Sequence, residues 1–189
     1  MSNHRVIIVH GTEGSPESNW FPWLTAQLQE GGIEVLCPQF PTPEGQSLES
    51  WMATFSEEVG ELQQSDIVVG HSTGVIFLLH ALQGASLPVK ASFLVAGFVS
   101  PIDIEKYDRL NKSFLEAPLD WNRIRENGGA IHLYAGGDDP YVPLSCAVEL
   151  EEMLRVTAHF IDGGGHLNSE TGYTSFDLLL SDLLAIVSS

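Results

Sequence analysis

Basic residues are scarce. Eight lysines and arginines stand against 25 aspartates and glutamates in 189 residues, a formal net charge of −17. A surface of that sign repels phosphates, which argues against nucleic acid or an anionic membrane as a partner. Cysteine is almost absent: Cys37 and Cys146 show neither disulfide nor metal-ligand spacing. No apolar run exceeds the length of a strand, so no segment is expected to span a bilayer. The opening Met1-Ser2-Asn3-His4-Arg5 runs directly into Val6-Ile7-Ile8-Val9, without the pattern of a secretory leader, and a cytoplasmic location is expected. There is no G-x-x-x-x-G-K-[ST] loop, no H-E-x-x-H and no EF-hand pattern. Gly11 and Gly14 follow the first apolar run, but the third glycine of a dinucleotide fingerprint is missing. The second run ends in Leu36-Cys37-Pro38 instead of an acid that would bind ribose. Asp138 and Asp139 lack further carboxylates for a cation. No cofactor and no metal ion are expected.

What is present is the composition of a globular domain. Hydrophobic residues make up 43% and charged residues 17%, and the length suits one domain with a core of fair size. Strand patterns fall at 5–9, 33–36, 67–69, 92–96, 130–135 and 158–161. Helical patterns fall between them at 20–30, 48–62, 74–83, 144–154 and 175–187. The strand patterns are continuous Val/Ile runs and not alternating ones, which marks strands covered on both faces. Strand–helix alternation of this kind predicts an α/β fold, a largely parallel six-stranded sheet with helices on both faces. The segment 97–127 breaks the rhythm. It holds Phe98, Tyr107, Phe114 and Trp121 among charges and prolines, with one short helix expected at 121–126. An insertion beyond a strand's carboxyl end is where such folds place ligand-covering elements, so 97–127 reads as a pocket-covering excursion of a single domain, 1–189.

One stretch demands an explanation. "VVGHSTGVIF", 68–77, interrupts two apolar runs with a histidine and two hydroxyls fenced by glycines. Gly70-His71-Ser72-Thr73-Gly74 matches G-x-S-x-G at a strand-to-helix junction, the context of a nucleophile elbow. Such a turn lifts the serine above the sheet. It requires small residues two before and two after, and it aims the Thr73 backbone N–H at a developing oxyanion. A glycine-flanked turn with a helix-capping serine would use the same residues.

A serine hydroxyl needs a base. Beyond the strand pattern at 130–135 comes Gly136-Gly137-Asp138-Asp139-Pro140, and beyond 158–161 comes Asp162-Gly163-Gly164-Gly165-His166. Both lie at the carboxyl edge that carries Ser72. The order Ser72, then Asp138 or Asp139, then His166 is the one this architecture uses. Asp-Asp-Pro is also an ordinary turn composition. A second oxyanion donor is expected after the first strand, in His10-Gly11-Thr12-Glu13-Gly14. Gly11 would allow close approach there and the Thr12 N–H would donate. His10 would brace that loop, and His4, His71, His80, His132 and His159 read as structural or surface residues.

"VIIVHGTEGSPESNWFPWL", "IVVGHSTG", "GGDDPYVP" and "DGGGHLNSE" together resemble the α/β-hydrolase superfamily. Within it they resemble the compact branch of small serine hydrolases that includes retinoblastoma-binding protein 9 and bacterial YdeN-type proteins. The resemblance runs through nearly the whole chain and is poor only over 101–125. It implies Ser72 as nucleophile, Asp139 as the acid and His166 as the base. The expected reaction is cleavage of an ester, thioester or amide of a small molecule through an acyl-enzyme, in the manner of a carboxylesterase. Trp20, Phe21, Phe98, Phe114 and Trp121 are candidates for the acyl pocket, whereas Trp23 reads as core. The rival reading is a non-catalytic binding protein that keeps a vestigial site. No residue pattern identifies a protein partner.

Overall fold

The computed structural model describes residues 4–188. Residues 1–3, part of the lead-in read above, lie outside them, as does residue 189. Six strands form one sheet: β1 (Arg5–Val9), β2 (Glu34–Leu36), β3 (Ile67–His71), β4 (Ala91–Val95), β5 (Ala130–Gly136) and β6 (Ala158–Ile161). All five pairings are parallel, in the order β2-β1-β3-β4-β5-β6. A parallel sheet needs both faces covered, and the alternating side chains of each strand supply two cores. Val6, Ile8, Ile67 and Val69 pack against α1 (Phe21–Glu30) and α8 (Asp177–Val187). Ile7, Val9 and Val68 pack against α2 (Leu48–Glu58) and α3 (Thr73–Gly84) on the other face. Leu94 and Leu133 extend that second layer beneath α3, α6 (Trp121–Asn127) and α7 (Leu144–Leu154). Among the described residues no helix is long and apolar enough to cross a membrane.

The strand and helix positions expected from the sequence recur with shifted ends. The helix expected over 48–62 stops at Glu58. Gly60 adopts φ +77°, and the Arg5 guanidinium donates hydrogen bonds to the Val59 and Glu61 carbonyls. That guanidinium also holds the fully buried Asp66 carboxylate through Nε at 3.0 Å and Nη2 at 2.7 Å, which pins β1 to the entry of β3. The segment 97–127 contains more helix than expected. α4 (Glu105–Leu110) and α5 (Lys112–Glu116) precede α6, and each is too short to show a period.

The strand order reverses direction between β1 and β3. The chain leaves the two strands there on opposite sides, and this opens a crevice at their carboxyl ends. Gly11 and Thr12 follow β1, and Ser72 follows β3.

Candidate active site

Ser72 sits at φ 56°, ψ −122°, a conformation that non-glycine residues adopt only when their surroundings enforce it. The enforcing contacts are close-packed backbone. A Cβ on Gly74 would lie 2.3 Å from the Val9 carbonyl oxygen, and one on Gly70 would lie 2.8 Å from that of Gly74. A Cβ on Gly11 would lie 2.9 Å from the Ser72 Cβ, so the loop after β1 reaches the serine only because position 11 has no side chain. The Ser72 N–H still completes the sheet, donating to the Val95 carbonyl at 2.9 Å. The turn thus projects the hydroxyl while its backbone remains part of the strand.

The carboxyl ends of β5 and β6 bring in the other two side chains. His166 Nδ1 donates to Asp139 Oδ2 at 2.7 Å, both side chains being almost wholly buried. The second Asp139 oxygen accepts from the Tyr141 and Val142 amides at 2.8 and 3.0 Å. The carboxylate is therefore satisfied as an anion, and the Nδ1–H tautomer leaves His166 Nε2 as the basic nitrogen. Asp138 accepts from the Gly165 N–H at 2.9 Å. Ser72 and His166 line one cavity, and among the described residues no hydrogen bond joins them.

Behind them stands His71. Its Nε2 donates to the His166 carbonyl at 2.9 Å, and its ring meets the His166 ring edge-on at 4.9 Å. Burial, and then the neighbouring His166 charge, push its pKa down to about 3, so it stays a neutral brace. His10 is a second brace, as expected: Nδ1 donates to the Gly11 carbonyl at 2.8 Å and Nε2 accepts from the Phe40 amide at 3.0 Å. Burial lowers its pKa.

The proposed oxyanion loops are joined through their side chains. The Thr12 and Thr73 hydroxyls lie 2.8 Å apart, and each also bonds Asn111 Oδ1, at 3.1 and 3.0 Å. Gln46 Nε2 donates to Thr12 Oγ1 and Asn111 Oδ1, both at 2.9 Å. Neither the Thr12 nor the Thr73 backbone N–H finds an acceptor among the described residues. Asn111, fully buried between α4 and α5, carried no sequence signal. Its partners are 99 and 38 residues away and meet only in the fold.

The cavity measures about 240 Å³. Gly11, Thr12, Ser72, Thr73 and His166 line one end of it. Phe98, Ile102, Tyr107, Tyr141 and Val142 form an apolar wall, and Asn19, Asn168 and Glu170 a polar rim. Of the five aromatics expected in the pocket, only Phe98 lines it. Trp20 and Phe21 are fully buried behind His71, and Trp20 Nε1 donates to the Leu167 carbonyl at 2.9 Å, bracing the histidine loop from behind. Phe114 is buried against Trp51, and Trp121 packs into the cluster beneath α3 and α7. Helix polarity explains the correction: these rings follow the apolar faces of their own elements into the core. Trp23 packs against that core, as read.

Known proteins bear on this arrangement in sequence and in fold. The serine hydrolase family model matches residues 6–184. YdeN of Bacillus subtilis (strain 168) is 27% identical over 187 residues, which cover 97% of this chain and 96% of that protein. The serine hydrolase RBBP9 of Rattus norvegicus is 24% identical over 170 residues, covering 88% and 89%. The crystal structure of the Bacillus subtilis ydeN gene product superposes with a TM-score of 0.90 at 26% identity, covering 98% of this chain and 100% of that one.

Proposed function

The chain belongs to the serine hydrolase family, and on that premise we propose that it cleaves an ester, thioester or amide of a small molecule through an acyl-enzyme on Ser72. The observation that carries the reading is the 2.7 Å contact between His166 Nδ1 and Asp139 Oδ2 beside the strained Ser72 turn. Ser72 Oγ attacks the carbonyl carbon while its proton passes to His166 Nε2. The carbonyl π electrons move onto oxygen, where the Thr73 and Thr12 N–H groups receive the negative charge. Collapse expels the leaving group, which takes the proton from Nε2. Water then repeats the sequence on the acyl-enzyme and releases the acid. Asp139 orients the ring and stabilises its charged form without itself taking the proton.

The small cavity and its apolar wall favour a short acyl or aryl group. Residues 97–127 cover it, supplying Phe98, Ile102, Tyr107 and Asn111. The substrate of this reading is a free small molecule held against the apolar wall of the cavity.

A fluorophosphonate probe followed by mass-spectrometric mapping tests the assignment. The expected result is one modified residue, Ser72, with labelling lost in Ser72→Ala. An unlabelled wild-type chain, or full labelling of the variant, would overturn it and leave a binding protein on a hydrolase scaffold.

A further inference from the structure

We propose that His132, His159 and Asp182 form a site for a borderline first-row divalent metal ion of the zinc class, on the sheet edge away from the catalytic crevice. The three residues lie on β5, β6 and α8, and one ligand atom of each lies within 4.8 Å of the others. Donors around a tetrahedral ion bound at about 2.0–2.2 Å stand about 3.4 Å apart, so modest side-chain rotations close the site. Two imidazoles and one carboxylate suit zinc-like ions and leave a fourth position for water.

The cluster is built and not merely crowded. The parallel register pairs Tyr134 with His159 and Phe93 with His132. The His132 ring lies flat on Phe93, with centroids 4.6 Å apart and planes 5° from parallel. His159 stacks on Tyr134 at 5.1 Å and 18°. Each ring is therefore backed by an aromatic neighbour. The Tyr134 hydroxyl donates to Asp182 Oδ2 at 2.6 Å, which orients the carboxylate and leaves Oδ1 for an ion. Such an outer hydrogen bond is the usual support of a metal-ligating carboxylate. Among the described residues neither imidazole hydrogen-bonds to Asp182, although one ligand atom of each lies within 4.8 Å of the others. A metal ion would satisfy all three at once. It would also fasten edge strand β6 and helix α8 to β5, the elements that flank the loops carrying Asp139 and His166.

Zinc titration calorimetry at pH 7.5, above the ordinary histidine range, tests the site. The wild-type chain is expected to take up one Zn²⁺. His159→Gln, at an exposed position, and Asp182→Asn should each weaken uptake at least about tenfold, and Tyr134→Phe should weaken it about tenfold through the carboxylate it orients. Zn²⁺ should also move the imidazole resonances of His132 and His159 and leave those of His71 and His80 in place. Absence of saturable uptake would overturn the proposal. So would uptake unchanged in both ligand variants, or ring shifts confined to His166.

Discussion

The Asp138 carboxylate accepts a hydrogen bond from the Gly165 N–H at 2.9 Å, one residue before His166. The adjacent Asp139 binds the His166 ring itself at 2.7 Å. One aspartate holds the loop and the other the His166 ring, so on the proposed mechanism the two should separate in kinetics. Asp139→Asn should lower kcat by about 10³- to 10⁴-fold, because an amide favours the wrong histidine tautomer. Asp138→Asn keeps an oxygen acceptor and should cost about tenfold or less, whereas Asp138→Ala, which loses it, should cost more. Turnover of one activated ester by the three variants, with circular dichroism as the folding control, decides this. An inactive Asp138→Asn beside an active Asp139→Asn would reverse the roles.

Asn111 ties Thr12 to Thr73 through one carbonyl oxygen. Without it the two amides proposed to hold the oxyanion lose their common anchor. Asn111→Ala should lower kcat about tenfold with little change in KM, since only the transition state carries the full charge. A rise in KM at unchanged kcat would assign Asn111 to substrate binding instead.

Ser72 holds a Cβ where the backbone disfavours one, at φ 56°. Ser72→Gly and Ser72→Ala both abolish the hydroxyl, but only glycine removes the Cβ. The glycine variant should be the more stable of the two by about 1 kcal/mol in chemical denaturation. Equal stabilities would mean that the turn is not strained.

His71 predicts an acid-sensitive fold. In the folded chain it stays neutral down to about pH 3. In the unfolded chain it takes up a proton near the ordinary histidine value of about 6.5. Below that pH the unfolded state binds the extra proton, so the contribution of His71 is complete above it and lost as pH falls toward 3. Burial lowers His10 and His80 in the same direction. Tm should therefore fall from pH 7 to pH 5. His71→Gln can still donate to the His166 carbonyl but cannot titrate, and its slope should be shallower by up to about 1.4 kcal/mol per pH unit. Parallel slopes for variant and wild type would show that His71 titrates normally.

The cavity of about 240 Å³ sets a length limit. In a panel of p-nitrophenyl esters, kcat/KM should be highest for two- to four-carbon acyl groups and at least about tenfold lower for octanoate. Replacing Phe98 by Ala should extend the tolerated length. A flat profile across the panel would place the acyl group outside this cavity.

Much of this was legible in the chain itself. The six strands and five long helices show in the sequence because burial on both faces demands continuous Val/Ile runs, and helices demand a 3.6-residue period. Ser72, the Asp138–Asp139 pair and His166 show because each needs glycines beside it. The clashes that a Cβ would make at Gly70, Gly74 and Gly136 give the reason; at Gly136 the Gly165 carbonyl oxygen would lie only 1.9 Å away. The aspartate pair could not be separated by composition, since the choice depends on which carboxylate reaches the His166 ring across 27 residues.

What tertiary structure alone decided are the contacts between elements. Large aromatics in the sequence say that area is to be buried, not against what. Trp20, Phe21 and Phe114 fill the core, while Ile102, Tyr107, Tyr141 and Val142 wall the cavity with Phe98. His71, Asn111 and the group of His132, His159 and Asp182 have no local signature, because their partners lie 23 to 99 residues away. A motif is visible when backbone sterics restrict neighbouring positions. A polar network assembled by sheet register and helix docking is not, because each of its members obeys only the rules of its own strand, helix or loop.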